Sequence, residues 1–342
     1  MPKTHPTLGE RLMARWYQPT PIRPLLPLAW LFGAGVRLRR QLYQSAWWPS
    51  HRLPVPVVVV GNLTVGGTGK TPLTLWLARY LSSQGWRVGL LTRGYRGQSR
   101  DWPQWVTPLS DPREVGDEAL LLAASGCPLV AGPDRVAGGH WLVTKGCNLV
   151  LSDDGLQHYR LARDREILVV DGERGFGNRC LLPAGPLREP VARQAEVSLV
   201  VTQGVDLEDR PAFRLVLGDP VRVDDPSQSR PLAAFPGSTV TAVAGIGHPQ
   251  RFFRQLQAAG LSLTCHAFPD HHPYERADFA TLAGPILMTG KDAVKCRPFA
   301  DARFWEVPVH LEPNACLIQA IDTLFAAPLS RHHETGTLGF SR

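Results

Sequence analysis

The chain has 342 residues, enough for one large domain or two of ordinary size. Its 44% hydrophobic and 20% charged residues lie near globular averages, which excludes a chain that is disordered throughout. The formal charge of +7 is confined to residues 1–52, which carry eight basic residues and one glutamate, so a nucleic-acid-binding protein is not expected. The six cysteines form no CxxC pair and no zinc-ligand spacing, which favours a reducing compartment.

Residues 1–52 are predicted to form an N-terminal amphipathic segment at a membrane interface. They contain a twelve-residue uncharged run, 25–36, followed by arginines at 37–40, and four of the ten tryptophans. A spanning helix needs roughly 20 apolar residues, and a secretory signal carries its charges before the apolar run. Aromatic anchors and arginines suit a helix that lies in the interface of an anionic membrane. The alternative is a helix docked on the protein's own core.

A glycine-rich loop follows the β-branched run at residues 55–60. The sequence GNLTVGGTGKTP at 61–72 matches the phosphate-binding pattern G-x-x-x-x-G-K-Ser/Thr, with Thr64 at the first glycine position. Backbone N–H groups of such a loop hold phosphate oxygens at a helix N-terminus. Lys70 is predicted to reach the β- and γ-phosphates, and the Thr71 hydroxyl to ligate Mg²⁺. The predicted ATP-binding residues are Thr64, Val65, Gly66, Gly67, Thr68, Gly69, Lys70 and Thr71.

Two adjacent aspartates, Asp153 and Asp154, end a second apolar run at 148–152. Their charges would repel each other without compensation, which favours a divalent cation over an ordinary strand-end turn. The predicted metal ligands are Thr71, Asp153 and Asp154.

Asp117 begins another apolar helical run, and its residue type leaves two roles open, a helix cap or a group that takes part in chemistry.

Short buried β runs that alternate with helical patterns predict an α/β fold. We expect a P-loop, doubly wound, mostly parallel sheet and a second, smaller α/β domain, with ligands at the carboxyl ends of the strands. The expected domains are an N-terminal segment at 1–52, a nucleotide-binding domain at 53–205, a linker or hairpin at 206–238, the smaller domain at 239–330 and a tail at 331–342.

Taken together, the motifs resemble those of the tetraacyldisaccharide 4'-kinases, also called lipid A 4'-kinases. The matching strings are VGNLTVGGTGKTP (60–72), RGYRG (93–97), GDE (116–118), DDGLQH (153–158), LLPAGPLREP (181–190), GIGHPQRFF (245–253), FPDHHPY (268–274) and TGKDAVKC (289–296). They extend over most of the chain, and their combination is far more specific than the glycine-rich loop alone.

The resemblance implies transfer of a phosphate from ATP, with Mg²⁺, to the 4'-hydroxyl of an acylated glucosamine disaccharide 1-phosphate. It implies a site on the cytoplasmic face of a bacterial inner membrane, which the N-terminal segment would contact. It also implies two α/β domains around a shared cleft. The sequence does not indicate an oligomeric state.

The resemblance further implies roles for single residues. Asp117 would be the catalytic base and His271 its dyad partner, and Lys70 would act on the transferred phosphate. Residues implied to contact the lipid are His158, Arg188 and Glu189. At Gly290 the chain departs from the family pattern, in which an acidic residue is expected.

Two other classes fit part of the sequence. The main alternative is a membrane-associated regulatory P-loop ATPase or GTPase, although that class often has a lysine early in its loop, where this chain has Val65. The second alternative is a soluble small-molecule kinase whose basic N-terminal helix is only structural.

Overall fold

The computed structural model describes residues 8–204, 209–235 and 240–326, and the side chains from residue 12 onward. The predicted tail at 331–342 and parts of the predicted linker lie outside the described residues. The strands, in chain order, are β1 (Val57–Gly61), β2 (Val88–Thr92), β3 (Gln104–Trp105), β4 (Leu129–Ala131), β5 (Leu149–Asp153), β6 (Arg165–Asp171), β7 (Leu199–Gln203), β8 (Ala212–Leu217), β9 (Val221–Arg222), β10 (Val240–Ala244), β11 (Leu263–Ala267), β12 (Ile286–Thr289), β13 (Phe304–Val307) and β14 (Val309–Pro313). The α-helices are α1 (Leu8–Trp16), α2 (Leu26–Gln44), α3 (Lys70–Ser83), α4 (Pro112–Val115), α5 (Asp117–Ala123), α6 (Arg135–Thr144), α7 (Pro249–Ala258), α8 (Gly290–Cys296) and α9 (Ala315–Ala326).

The strands form two sheets, and the predicted α/β class is confirmed. The larger sheet has the order β14-β8-β7-β6-β1-β5-β2-β4-β3, and all its neighbours are parallel except at the two edges, where β14 and β3 run antiparallel. Its central strands β1, β2 and β5 are buried along their whole length, because helices cover both faces of the sheet, and their sequences are accordingly largely apolar. The smaller sheet has the order β11-β10-β12-β13-β9.

The chain passes between the sheets more often than the sequence indicated. The stretch 206–238, predicted as a linker or hairpin, supplies β8 to the larger sheet and β9 to the smaller one. Residues 309–326, expected in the smaller domain, return to the larger sheet as β14 and α9. The physical reason is burial: Leu317 and Ile321 of α9 join the apolar core that also holds Phe213 of β8.

The N-terminal residues form two helices that lie against the larger sheet's connecting loops. Trp16, at the end of α1, is buried and donates a hydrogen bond from Nε1 to the carbonyl of Pro183 at 2.9 Å. Helix α2 is docked through Ala29 and Gly33, and a Cβ at Gly33 would lie 2.7 Å from Leu181 Cδ1. Large apolar side chains on the rest of α2 are exposed, namely Leu28, Trp30, Leu31, Phe32 and Leu38. Across the described ranges, no helix is both long and apolar enough to cross a membrane.

Strand register determines which functional segments meet. Strands β1 and β5 are parallel neighbours, with Val60 opposite Asp153, so the glycine-rich loop after β1 begins beside the carboxylates that end β5. Helices α5 and α8 pack against each other and join the two sheets. A cleft therefore forms where the carboxyl ends of both sheets face each other.

Candidate active site

The glycine-rich loop lies between β1 and α3. Gly66 and Gly69 have φ values of 106° and 84°, a conformation that side chains rarely adopt. A Cβ at Gly66 or Gly67 would meet no atom within 4 Å, so the loop has open space where a ligand can approach the backbone. The Asn62 side chain braces the loop by donating a hydrogen bond to the Gly66 carbonyl at 3.3 Å. The loop therefore has the backbone shape and the free space that a phosphate group requires.

Asp153 is fully buried between two hydroxyl groups. The Thr71 hydroxyl donates a hydrogen bond to Oδ2 at 3.0 Å, and the Thr74 hydroxyl donates to Oδ1 at 2.9 Å. Burial is the main cause that raises the pKa of Asp153 to about 6, and the nearby carboxylate of Glu118 adds to the rise. The site thus holds an anion at a real cost in solvation, which a bound cation would offset.

Asp154 has a different environment, although it is the next residue. Its carboxylate lies 3.6 Å from Lys70 Nζ and 3.2 Å from Arg188 Nη1, and its carbonyl accepts a hydrogen bond from Arg135 at 2.9 Å. Burial alone would raise the pKa of Asp154, but these three cations hold it well below its ordinary value. Asp154 thus stays ionised and joins the glycine-rich loop to Arg188.

Arg135 is a residue that the sequence analysis missed. Its side chain is buried beneath the site, where it donates hydrogen bonds to the Ser152 hydroxyl at 3.0 Å and to the Asp154 carbonyl. Burial lowers the pKa of Arg135 to about 10, so it remains a cation at neutral pH. No local pattern distinguishes it from an exposed helix arginine, because its burial follows only from the packing of α6 on the sheet.

The donors around Asp153 fit Mg²⁺, which binds carboxylate and hydroxyl oxygens and usually keeps only one or two protein ligands besides water and phosphate oxygens. Thr71 and Asp153 supply such a pair. In the part of the chain that the structure describes, no group of three or more His, Cys, Asp or Glu side chains forms a complete metal site. Asp154, the third predicted ligand, faces Lys70 and Arg188, and its metal role stays a prediction.

Asp117 and His271 meet across the cleft. Nδ1 of His271 lies 2.9 Å from Oδ2 and 3.2 Å from Oδ1 of Asp117, which is only 6% exposed. Burial raises the pKa of Asp117, but the hydrogen bond from His271 and the nearby lysines outweigh it and leave the pKa below its ordinary value. An ionised carboxylate only accepts hydrogen bonds, so Nδ1 carries the proton and Nε2 has the free electron pair.

The two roles left open for Asp117 can now be compared. Gly116, with a φ of 86°, occupies the N-cap position of α5, and Asp117 follows as the first helical residue. Its Oδ1 does accept a hydrogen bond from the Glu118 N–H at 2.9 Å, but the same carboxylate faces His271. The observed geometry therefore fits a group in the cleft better than a simple cap.

Gly290 packs against a carboxylate on the next strand. A Cβ at this position would lie 2.9 Å from Glu306 Oε1, so the carboxylate of β13 fills the space that a side chain at 290 would enter. Burial raises the pKa of Glu306. The departure from the family pattern thus leaves a carboxylate in the same neighbourhood.

The three residues implied to contact the lipid have different environments. Arg188 pairs with Asp154, and Glu189 is buried, where it accepts hydrogen bonds from Gln157 at 3.1 Å and from the Tyr159 hydroxyl. Burial and neighbouring arginines lower the pKa of His158 to about 4, so its imidazole is neutral. Its buried Nε2 has no hydrogen-bond partner among the described residues. Arg188 is thus partly exposed beside Asp154, whereas His158 Nε2 and Glu189 are buried, and the lipid-contacting roles of all three stay predictions.

These features define a class. An α/β sheet with a glycine-rich loop at a helix N-terminus, a lysine and hydroxyl after it, and a buried aspartate beside them is typical of nucleotide-dependent phosphotransferases. The Asp117–His271 pair adds a group that can accept a proton at the same cleft.

Comparisons with known proteins identify the family. The model for LpxK, tetraacyldisaccharide-1-P 4'-kinase, matches residues 22–326. A tetraacyldisaccharide 4'-kinase from Alkalilimnicola ehrlichii is 49% identical over 332 residues, 95% of this chain and 98% of the relative. One from Nitrosococcus oceani is 51% identical over 302 residues, 87% of this chain and 89% of the relative. The crystal structure of LpxK from Aquifex aeolicus in complex with ATP is 28% identical with a TM-score of 0.73, over 89% of this chain and 99% of that one.

The chain therefore belongs to the tetraacyldisaccharide 4'-kinase family, as its motifs indicated. The comparisons do not support the regulatory ATPase or GTPase or the soluble small-molecule kinase.

The contrasting environments of Asp153 and Asp154 predict opposite effects on stability in metal-free buffer. Asp153 has a pKa near 6, above its ordinary value of 3.8, so the folded state loses stability as pH rises through that window. Asp153→Asn should raise the free energy of unfolding at pH 7.5 by up to about 3 kcal/mol, and the gain should vanish near pH 4. The pKa of Asp154 is lowered, so its stabilising effect is lost only below the ordinary value of 3.8, and Asp154→Asn should reduce stability at pH 7.5 and at pH 4.5 alike.

Urea unfolding of both variants in EDTA at pH 4.5 and 7.5 measures these changes. The two variants are matched because they remove the same charge at neighbouring positions. Equal shifts of the same sign would contradict the assigned environments.

Proposed function

We propose that this chain is a lipid kinase that transfers the γ-phosphate of ATP to the 4'-hydroxyl of a tetraacylated glucosamine disaccharide 1-phosphate in lipid A biosynthesis. Family membership supports the reaction, and one observation on this chain carries the assignment of the site. The Asp117–His271 pair joins the two sheets at the cleft. The glycine-rich loop faces the same cleft, because a Cβ at Gly247, in the loop after β10, would lie 3.9 Å from Gly67 N.

The nucleotide phosphates would bind at the N-terminus of α3. The open space at Gly66 and Gly67 gives access to backbone N–H groups, and the helix dipole favours an anion there. Lys70 supplies a positive charge for the transferred group, and its present partner Asp154 holds it at the loop. Thr71 and Asp153 would hold Mg²⁺, which neutralises phosphate charge when it is bound. Phosphoryl transfer depends mainly on such positioning and charge.

The proton of the acceptor hydroxyl would be taken by the Asp117–His271 dyad. The carboxylate of Asp117 already accepts hydrogen bonds from Nδ1 of His271 and from the Glu118 N–H. This geometry favours an exchange of the roles that the family resemblance implied. The imidazole Nε2 would accept the proton, and Asp117 would fix the tautomer and stabilise the imidazolium that forms.

Membrane contact would occur through helix α2. One side of α2 is docked on the protein, but Trp30 and Leu31 are 70% and 71% exposed. Exposed apolar side chains on a docked helix, with arginines in its last two turns, suit the interface of an anionic bilayer. The acylated substrate resides in a membrane because of its chains, and we place the enzyme at the cytoplasmic face of the bacterial inner membrane, where ATP is present.

Lipid phosphorylation tests the proposed reaction. Purified protein with ATP, Mg²⁺ and the acylated disaccharide 1-phosphate should add one phosphate to the lipid. Lys70→Ala should lower kcat by at least about 10²-fold, because it removes charge directed at the transferred group. Arg79→Ala, on the exposed side of the same helix, is the matched control and should keep its activity. Near-normal turnover by folded Lys70→Ala protein would contradict the assignment of the loop.

Vesicle binding tests the role of α2. Burying one large apolar side chain contributes about 1.5–3 kcal/mol, so Trp30→Ser combined with Leu31→Ser should weaken binding to anionic vesicles at least about tenfold. Trp141→Ser removes an exposed tryptophan from α6 and should leave vesicle binding unchanged. If the α2 variant sediments with vesicles as well as the unmodified chain does, α2 is a docked structural helix only.

A further inference from the structure

Lys291, near the start of α8, lies on the side of His271 that faces away from Asp117. Its Nζ is 3.1 Å from Nε2 of His271, 3.1 Å from Asp270 Oδ1 and 3.5 Å from Glu118 Oε1. The side chain is only 13% exposed. The ammonium therefore occupies the place beside Nε2 where an acceptor hydroxyl would have to arrive.

These contacts determine the protonation of both partners. Nδ1 of His271 must donate to the carboxylate of Asp117, so Nε2 is an acceptor and the ammonium of Lys291 is its donor. A proton on Nε2 would put an imidazolium N–H against an ammonium group, and the two positive charges would repel each other. The contact with Lys291 thus favours the neutral imidazole with its electron pair on Nε2.

Lys291 is itself held as a cation. Burial lowers the pKa of Lys291, but Asp117, Glu118 and Asp270 outweigh burial and raise it overall. Glu118 lies in α5, on the side of the larger sheet, whereas Asp270 directly precedes His271 in the smaller domain. The lysine consequently links the two sides of the cleft through its ion pairs, independently of the histidine.

Other charged and titratable groups also surround His271. Those that face the imidazole or its partners are Asp117, Glu118, Tyr95, Arg96, Asp270, Lys291 and Lys295. The ring of Tyr95 packs edge-on with its centroid 5.2 Å from that of His271, and Arg96 binds the carbonyl of Asp270. Lys295 lies 4.0 Å from Asp117 and 3.2 Å from Asp292. Among these groups, Lys291 is the cation in contact with Nε2.

We propose that Lys291 is a positioning residue for phosphoryl transfer, which holds His271 neutral with Nε2 ready to accept a proton and moves aside for the sugar hydroxyl. The proposal rests on the proposed function. In the transfer step the hydroxyl proton passes to Nε2 as the hydroxyl oxygen bonds to phosphorus, and ADP leaves with the electrons of the broken bond. The ammonium keeps its ion pairs with Asp270 and Glu118 and loses no proton.

Removing the charge should make His271 easier to protonate. In Lys291→Met and Lys291→Gln, the acidic limb of the pH profile of kcat/KM should move upward by about one pH unit or more. Activity should therefore fall more at pH 6 than at pH 8, with little change in the KM for ATP. Lys291→Arg keeps a cation and should keep the limb near its original position. Lys145→Met, at an exposed lysine directly after α6, controls for loss of a surface charge.

An NMR titration of the histidine Cε1–H signals measures the protonation of His271 directly, in the absence of substrate. The His271 signal, assigned by its absence from His271→Gln protein, should titrate at higher pH in both uncharged variants. If the His271 titration and the acidic limb are unchanged in folded Lys291→Met and Lys291→Gln protein, the proposal is wrong. Failure of the unmodified chain to phosphorylate the lipid would instead contradict the proposed function, and the NMR result would still stand.

Discussion

The hydrogen bond between Asp117 and His271 is the interaction on which the site depends. Asp117 begins α5 beside the larger sheet, and His271 lies in a loop of the smaller one with a positive φ of 64°. The two partners therefore come from opposite sides of the cleft. The contact forms only when the two sheets pack through α5 and α8, so the geometry of the site depends on domain packing.

Charge is arranged in two neighbouring regions of the cleft. Beside the glycine-rich loop, Asp154 is balanced by Lys70 and Arg188, while Asp153 is buried between hydroxyl groups and is left with excess negative charge. Around the dyad, Lys291 offsets the carboxylates near His271. The first region suits a cation with anionic phosphates, and the second suits a neutral proton acceptor. This separation allows phosphate binding and proton transfer to occur in one cleft.

Local patterns predicted the parts of the site that lie next to each other in sequence. The glycine-rich loop follows buried strand β1, and the two aspartates lie at the end of buried strand β5. The carboxyl ends of neighbouring parallel strands meet at the same edge of a sheet, which brings these segments together. Sequence could not indicate Arg135 or Lys291, whose roles come from contacts with distant segments. The same limit applies to β8 and β14, which pair with each other about 100 residues apart. β8 lies in the stretch predicted as a linker or hairpin, and β14 lies in the part assigned to the smaller domain.

A double-mutant cycle on Asp117→Asn and His271→Gln tests the central claim most directly. The rate constant for lipid phosphorylation at saturating ATP would be measured for the two single variants and the double variant, with folding checked by circular dichroism. If the residues act as one unit across the cleft, each single variant loses roughly 10²–10⁴-fold and the double variant is scarcely slower than the worse single one. Losses that multiply in the double variant would contradict the account.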